Sequence, residues 1–278
     1  MTQIIDGKKI SQEVRDELKE KVATLKARGK TFSLAVIQVG DDPASSVYVG
    51  NKKKACAYIG IESLSYELPR ETTQEELLKL VDELNGNPGV SGILIQLPLP
   101  EHMDEDKVLL AISPEKDVDG FHPVNVGNLS IGRPGFVSCT PAGVIQLLKR
   151  SGIQIEGKEC VVLGRSNIVG KPMAMLLLRE NGTVTVCHSR TKNLKEITRR
   201  ADILVVAIGR PKYVDASFVK EGAVVIDVGI HRNEAGKLCG DVDFDSVSPH
   251  TSAITPVPGG VGPMTIAMLM HNVVEGSR

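Results

Sequence analysis

GRSNIVGKP, residues Gly164 to Pro172, lies between a β-branched run ending at Leu163 and a helix-like segment, Met173 to Arg179. A glycine-bearing turn from strand to helix lets backbone N–H groups and the helix N-terminus approach a phosphate closely. The turn reads GxSxxxG. Ser166 stands where the dinucleotide fingerprint has its middle glycine, and one extra residue precedes Gly170. Spacing alone divides evenly between a phosphate loop and a plain turn. The following strand separates the two readings. Thr183 to Cys187 is expected as a buried strand, and an NAD site carries an acid near the end of that strand to bind the ribose 2′-hydroxyl. Here that place holds His188, Ser189, Arg190 and Thr191. With no carboxylate to repel it, a 2′-phosphate is admitted, and Arg165, Arg190 and the Ser189 hydroxyl supply charge-assisted hydrogen bonds. Either arginine alone reads as a solvated surface charge. Their joint placement at the ends of consecutive strands points to NADP rather than NAD.

Working outward from this turn, short apolar runs alternate with helical patterns, which predicts an α/β chain with parallel sheets and crossover helices. The first series has strands at Leu34 to Val39, Glu62 to Glu67 and Gly92 to Gln96, with helices near Ala44 to Ile59 and Gln74 to Leu84. The second has strands at Cys160 to Leu163, Thr183 to Cys187, Ile203 to Ala207, Val224 to Asp227 and Ser252 to Ile254. Between them Val118 to Cys139 is rich in Gly, Pro and Asn. Threonine can cap and proline suits the first helical position, so Thr140 and Pro141 are expected to open a connector helix through Leu148. The boundary is placed near Cys139. A catalytic domain is expected over 1–138 and a Rossmann-type domain over 139–262, with a cleft between them and a last helix, 263–278, packing back on the first.

Bulk properties narrow the class. The 278 residues suffice for two domains with cores. A formal net charge of −1 lacks the basic face that nucleic acid or a membrane surface requires. Partners are therefore expected among small molecules. The five cysteines (Cys56, Cys139, Cys160, Cys187, Cys239) show no CxxC spacing and the six histidines no HxxxH pair, so no metal site is expected. They read as reduced, mostly buried thiols. MTQIIDGKKI has no apolar signal core, and no stretch approaches the ~18 apolar residues that span a bilayer. A cytoplasmic address is the expectation.

Chemistry is concentrated in the first domain. In SSVYVGNKKKAC, Tyr48 and Lys52 are four residues apart and share a helix face, while Lys53 and Lys54 rotate away. The alternative is a solvated lysine run beside a core tyrosine. A Tyr-x-x-x-Lys pair also resembles that of short-chain dehydrogenases, but there it follows the first nucleotide-binding unit, whereas here it precedes Gly164. GILIQLPLP ends a buried strand with Gln96, at the carboxyl end of a sheet, where open α/β sheets bind ligands. KDVDGFHPVN sets Asp117 and Asp119 around a turn. Asp119 suits the paired donors of an amino-pyrimidine edge, or simply an Asx turn. PVPGGVGPMT, Pro256 to Thr265, reads as a ligand-lining loop or as a helix-entry turn, with Pro263 beginning the final helix. Asp227 is left between a nicotinamide neighbour and an ordinary turn former.

Taken together, IIDGKKI, YVGNKKKAC, GILIQLPLP, KDVDGFHPVNVG, CTPAGV, GRSNIVGKP, VIDVGI and TPVPGGVGPMT closely resemble one family along essentially the whole chain. It is the bifunctional methylenetetrahydrofolate dehydrogenase/methenyltetrahydrofolate cyclohydrolases. The resemblance implies that Lys52 is the catalytic lysine, Tyr48 lies against the folate ring system, Gln96 bonds the lysine and Asp119 holds the pterin. It places Arg165, Ser166 and Ser189, with Gly164 and Arg190, at the cofactor. Ile230 is placed there too, and Gly260 and Pro263 at the substrate. It also implies a homodimer. Ser138 stands where the family often has proline, and His231 where it often has asparagine. The implied reactions are oxidation of 5,10-methylenetetrahydrofolate by NADP and hydrolysis of the methenyl product to 10-formyltetrahydrofolate. Partial burial and the methenyl cation both disfavour a protonated Lys52, lowering its pKa toward neutrality so that it takes a proton from water. The alternatives are a dehydrogenase without cyclohydrolase activity, an NADP-dependent oxidoreductase on another small substrate, and a non-enzymatic NADP-binding regulator.

Overall fold

A computed structural model describes residues 2–233 and 235–276, with the side chains of residues 43–46 outside the description. In chain order the elements of the first half are β1 (Gln3–Ile4), α1 (Gly7–Lys26), β2 (Ser33–Val39), α2 (Pro43–Ile59), β3 (Glu62–Leu68), α3 (Gln74–Gly86), β4 (Gly92–Ile95), α4 (Glu105–Ala111) and α5 (Pro123–Ser130). The second half holds α6 (Cys139–Arg150), β5 (Glu159–Leu163), α7 (Gly170–Arg179), β6 (Thr183–Cys187), α8 (Leu194–Thr198), β7 (Ile203–Val206), β8 (Ala223–Asp227), β9 (His231–Arg232), β10 (Leu238–Cys239), α9 (Phe244–Val247), β11 (Thr251–Ile254) and α10 (Val261–Gly276). Two compact units result. One comprises Met1–Ser11 with Ser138–Thr265, the other Gln12–Val137 with Ile266–Arg278.

The unit of Gln12–Val137 is built on a three-stranded parallel sheet in the order β3-β2-β4. β2 is central and buried along its whole length, as its run SLAVIQV requires of a strand covered on both faces. Val81, Leu77 and Leu84 of α3 pack with Ile37, Ile93 and Ile95 in one core. α3 starts at a capping box. Thr73 Oγ1 accepts the Glu76 N–H at 3.2 Å and the Glu76 carboxylate accepts the Thr73 N–H at 2.8 Å.

The other unit carries a six-stranded parallel sheet in the order β1-β11-β8-β7-β5-β6. β5 is followed in sequence by β6 on one side and by β7 on the other, so the strand order reverses there. That reversal is the place where open α/β sheets bind ligands, at the carboxyl ends of the strands. β9 and β10 form a small antiparallel pair.

Four expectations change. Thr183–Cys187 is an edge strand with only Cys187 buried, because β5 is its single neighbour. Thr140 does not cap α6. The N-cap position is Ser138, and Thr140 lies inside the first turn with its hydroxyl 2.9 Å from that of Thr265. α10 begins at Val261, so Pro263 sits within its first turn, where the N–H it lacks would have no intrahelical partner. The first residues group with the six-stranded unit, because β1 pairs with β11 and Lys8 N–H donates to the Gly259 carbonyl at 3.1 Å. Met1, Ser277 and Arg278, which fell within the expected spans 1–138 and 263–278, lie outside the described residues.

Candidate active site

In the unit of Gln12–Val137, the helix α2 and the carboxyl end of β4 bring two distant side chains together. Lys52 Nζ donates to Gln96 Oε1 at 2.9 Å. The amide nitrogen of Gln96 donates to the Leu97 carbonyl at 2.8 Å, which fixes the oxygen toward the lysine. Gln96 itself is placed by its N–H, which donates to the Ile37 carbonyl at 2.8 Å and so extends the β2–β4 ladder beyond Ile95. Lys53, next in the lysine run, turns instead to Glu67 at 2.8 Å. Tyr48 is 46% exposed, which removes the core-tyrosine reading and leaves its ring available to a flat ligand.

The turn that bears the two acids is anchored at its start. The Ile93 N–H donates to the Lys116 carbonyl at 2.8 Å, and Ile93 bridges Asp117. Asp117 is buried, and its Oδ2 accepts the His122 N–H at 2.8 Å and the Asn125 amide at 2.9 Å. The Asn272 amide donates to the carbonyl of Val118 at 2.8 Å. Gly120, at φ 71°, closes the turn. Asp117 is thus committed to its own loop. The two acids, equivalent by type, divide into a scaffold residue and a candidate ligand group. Burial pushes the Asp119 carboxyl up to about 6, with the Lys52 charge pulling it down and Asp117 pushing it further up. That mutual influence puts Asp119 in the field of the lysine.

The second candidate site lies at the switch point of the six-stranded sheet. A cavity of about 300 Å³ is lined by Leu163 at the end of β5, Gly164 to Ser166 after it, His188 and Ser189 after β6, and Ala207, Ile208, Arg210 and Tyr213 after β7, with Leu194. The glycines of the turn are required by geometry. At Gly164, φ is +131° and a Cβ would lie 2.1 Å from the Ala207 carbonyl oxygen. At Gly170 a Cβ would lie 2.4 Å from the Gly164 carbonyl oxygen. The Ser166 hydroxyl accepts the N–H groups of Val169 and Gly170 at 3.2 and 3.3 Å, tying the turn to the start of α7. This backbone packing, with Arg165, Ser166 and Ser189 exposed around it, fits a nucleotide phosphate.

Arg190 is exposed and the cavity lining does not include it. Its N–H donates to His188 Nδ1 at 3.2 Å. Arg210, which the sequence reading passed over, takes a place in the lining. The signal was available, since Arg210 follows a strand at the ligand-binding end of the sheet. Ile230 is 45% exposed, and its Cδ1 would lie 3.6 Å from a Cβ on Gly262. Gly260 is buried against the N-terminal segment. A Cβ on Gly7 would lie 1.8 Å from the Gly260 carbonyl oxygen, and one on Gly260 would lie 2.6 Å from the Pro256 carbonyl oxygen. Part of the glycine content of PVPGGVG therefore answers to packing.

Asp227 is no free strand-end acid. Its two oxygens accept the N–H groups of Gly229, Asp241 and Val242 at 2.9, 3.0 and 2.9 Å. Asp241 likewise accepts those of Ile208, Gly209 and Arg210 at 2.8, 3.1 and 2.8 Å. Among the described residues no cluster of His, Cys, Asp and Glu could hold a metal ion, and no helix is long and apolar enough to cross a membrane.

Comparison with known proteins agrees with the motifs. Residues 5–119 match the family described as tetrahydrofolate dehydrogenase/cyclohydrolase, catalytic domain, and residues 138–278 match its NAD(P)-binding domain. A relative from Lachnoclostridium phytofermentans, named bifunctional protein FolD, is 71% identical over 278 residues, covering 100% of this chain and 99% of the relative. The crystal structure of the bifunctional enzyme FolD from Campylobacter jejuni is 53% identical with a TM-score of 0.98, over 100% of this chain and 99% of that one. The Trypanosoma brucei dehydrogenase-cyclohydrolase, complexed with NADP cofactor and inhibitor, is 43% identical with a TM-score of 0.93, over 99% of this chain and 97% of that one. With both family domains matched and near-complete relatives at this identity, the chain belongs to the tetrahydrofolate dehydrogenase/cyclohydrolase family.

Proposed function

We propose that this protein oxidises 5,10-methylenetetrahydrofolate to the 5,10-methenyl cation with NADP and then hydrolyses that cation to 10-formyltetrahydrofolate. Family membership supports both activities, and the observation that carries the hydrolytic one is the Lys52 Nζ to Gln96 Oε1 hydrogen bond at 2.9 Å. It distinguishes this chain from a dehydrogenase-only member, which has no use for the pair. NADP supplies the hydride acceptor when bound.

The roles of the protein's own groups follow from their chemistry. Asp119 accepts two hydrogen bonds from the amino-pyrimidine edge of the pterin, and Tyr48 covers one face of the flat ring system. Lys52 as a neutral amine takes a proton from water adding to the one-carbon bridge. Gln96 orients that amine through its carbonyl. The product of oxidation is a cation, so its presence beside Lys52 favours the neutral amine at the moment when water must be activated. In the other unit the turn from Gly164 to Gly170 takes the dinucleotide phosphates. Arg165 and Ser189 meet the 2′-phosphate, with Ile230 and the Gly260–Pro263 segment on the ligand side. The protein acts as a homodimer, a reading that rests on the family resemblance.

The test follows reduced cofactor and methenyl intermediate at two wavelengths, with 5,10-methylenetetrahydrofolate and either NADP or NAD. NADPH formation with little methenyl accumulation is expected. Accumulation of methenyl would remove the proposed role of Lys52, and absence of reduction with both cofactors would remove the dehydrogenase.

A further inference from the structure

The cavity at the switch point contains a second arginine that the glycine turn does not predict. Arg210 lies after β7, on the side of β5 opposite to β6, and lines the same cavity of about 300 Å³ as Arg165 and Ser189. Its backbone is held with unusual care for an exposed loop. The Asp241 carboxylate, fully buried, accepts the N–H groups of three successive residues, Ile208, Gly209 and Arg210, between 2.8 and 3.1 Å. Asp241 is held in turn by His231, whose Nε2 is 2.7 Å from Oδ1. The guanidinium carbon of Arg210 lies 5.5 Å from the centroid of the Tyr213 ring. Among the described residues no acid pairs with it, whereas neighbouring Lys212 is turned to Asp243 at 3.4 Å. A fixed backbone, an aromatic support and an uncommitted charge describe a cation held ready for an anion.

We propose that Arg210 is a specificity-determining residue, which with Arg165 closes on the 2′-phosphate of NADP from the β7 side of the cavity. The inference rests on the reading of this cavity as the site of the adenosine end of the cofactor. Planar guanidinium groups offer paired N–H donors to phosphate oxygens, and two of them lining one cavity discriminate against a ribose 2′-hydroxyl more than one can.

Arg210→Gln tests this in the full-length protein. The KM for NADP should rise by about tenfold or more, the loss expected of a charge-assisted contact. The kcat with NADP and the KM for NAD should stay within about twofold on the same reasoning. A second readout needs no turnover. Calorimetric titration with 2′,5′-ADP should show the same loss, titration with 5′-AMP almost none, and Arg210→Lys should recover part of the affinity. Equal weakening of 2′,5′-ADP and 5′-AMP would overturn the phosphate contact, and so would no weakening of either. Arg165→Gln separates the two layers of argument. If it lowers 2′,5′-ADP binding while Arg210→Gln does not, only the inference about Arg210 fails. If neither variant changes it, the cavity is not the 2′-phosphate site.

Discussion

Replacing Gln96 by glutamate is the sharpest test of how Lys52 works. The Gln96 carbonyl oxygen is 2.9 Å from Lys52 Nζ, so Gln96→Glu puts a carboxylate oxygen in its place with little change of shape. At that separation, with an effective dielectric constant of about 20, the gross attraction is roughly 6 kcal/mol. Most of this is lost. Lys52 is half-buried, water screens the pair, and the second carboxylate oxygen faces the Leu97 carbonyl that now accepts the amide at 2.8 Å. A net preference of ~1.5–3 kcal/mol for the charged lysine, the range for a hydrogen bond to an ionised group, is a reasonable remainder. At about 1.4 kcal/mol per pKa unit, the neutral amine falls roughly 10- to 100-fold at neutral pH. Hydrolysis of the isolated methenyl compound should fall by that factor and recover as pH rises, while NADPH formation persists and methenyl accumulates. Gln96→Met is the control. It removes orientation without adding charge, so it should slow hydrolysis without displacing the pH profile. Hydrolysis by Gln96→Glu at the wild-type rate with an unmoved profile would refute the neutral-amine mechanism.

Other consequences are as direct. Gly170→Ala forces a Cβ to within 2.4 Å of the Gly164 carbonyl oxygen, so the turn must move; a loss of ~1–3 kcal/mol in denaturant unfolding and a raised KM for NADP are expected. The Asp119 carboxyl, raised to about 6 by burial, stays protonated in the native state at pH values where the unfolded chain has already released its proton. Its contribution to stability is full below the ordinary carboxylate range and is lost as pH rises through about 6, so Asp119→Asn should flatten that part of the stability profile. If folate binding uses the anion, the KM for the folate should also climb as pH falls through about 6 in the wild type, and lose that dependence in the variant. His231→Leu removes a donor from buried Asp241 and should cost ~1–2 kcal/mol by urea midpoint, whereas His231→Asn, the residue the family often carries there, should cost less if its amide reaches the carboxylate.

What was legible in the sequence and what was not divide along physical lines. Apolar runs placed the buried strands β2, β4, β5, β7 and β8 within a residue, because a strand covered on both faces must be apolar along its length. The same reasoning misjudged β6. Thr183 to Cys187 has the composition of a buried strand, yet edge or centre is decided by pairing partners that no local pattern encodes. The short β1, whose pairing with β11 ties the N-terminus to the six-stranded unit, has too few residues to show a period. In the candidate site, Lys52 and Gln96 were readable because each sits at a position defined by its own element, a helix face and a strand end. Arg190 and Arg210 were not separable by type or by place in the motif order. The folded cavity separates them, with Arg210 in its lining and Arg190 outside it.

Asp227 shows the same limit from the other side. A strand-end acid beside a proposed nicotinamide site invites a catalytic reading, and nothing in VVIDVG argues against it. Yet a carboxylate serves a ligand only with a lone pair that faces it. Oδ1 of Asp227 already accepts two N–H groups and Oδ2 a third, all from the segments that carry Gly229 and Asp241. A Cβ on Gly240 would lie 1.9 Å from Oδ2, so the backbone closes over it. Burial pushes this carboxyl up to about 6 despite those donors. The acid is retained against that cost because three N–H groups would otherwise be left unpaired in the interior. Asp227 holds the β8 end to the strand-like segment leading to Asp241, and Asp241 holds the loop that bears Arg210. The two buried carboxylates act in series as backbone acceptors. The function they support is exercised one step further out, by the arginine whose position they fix.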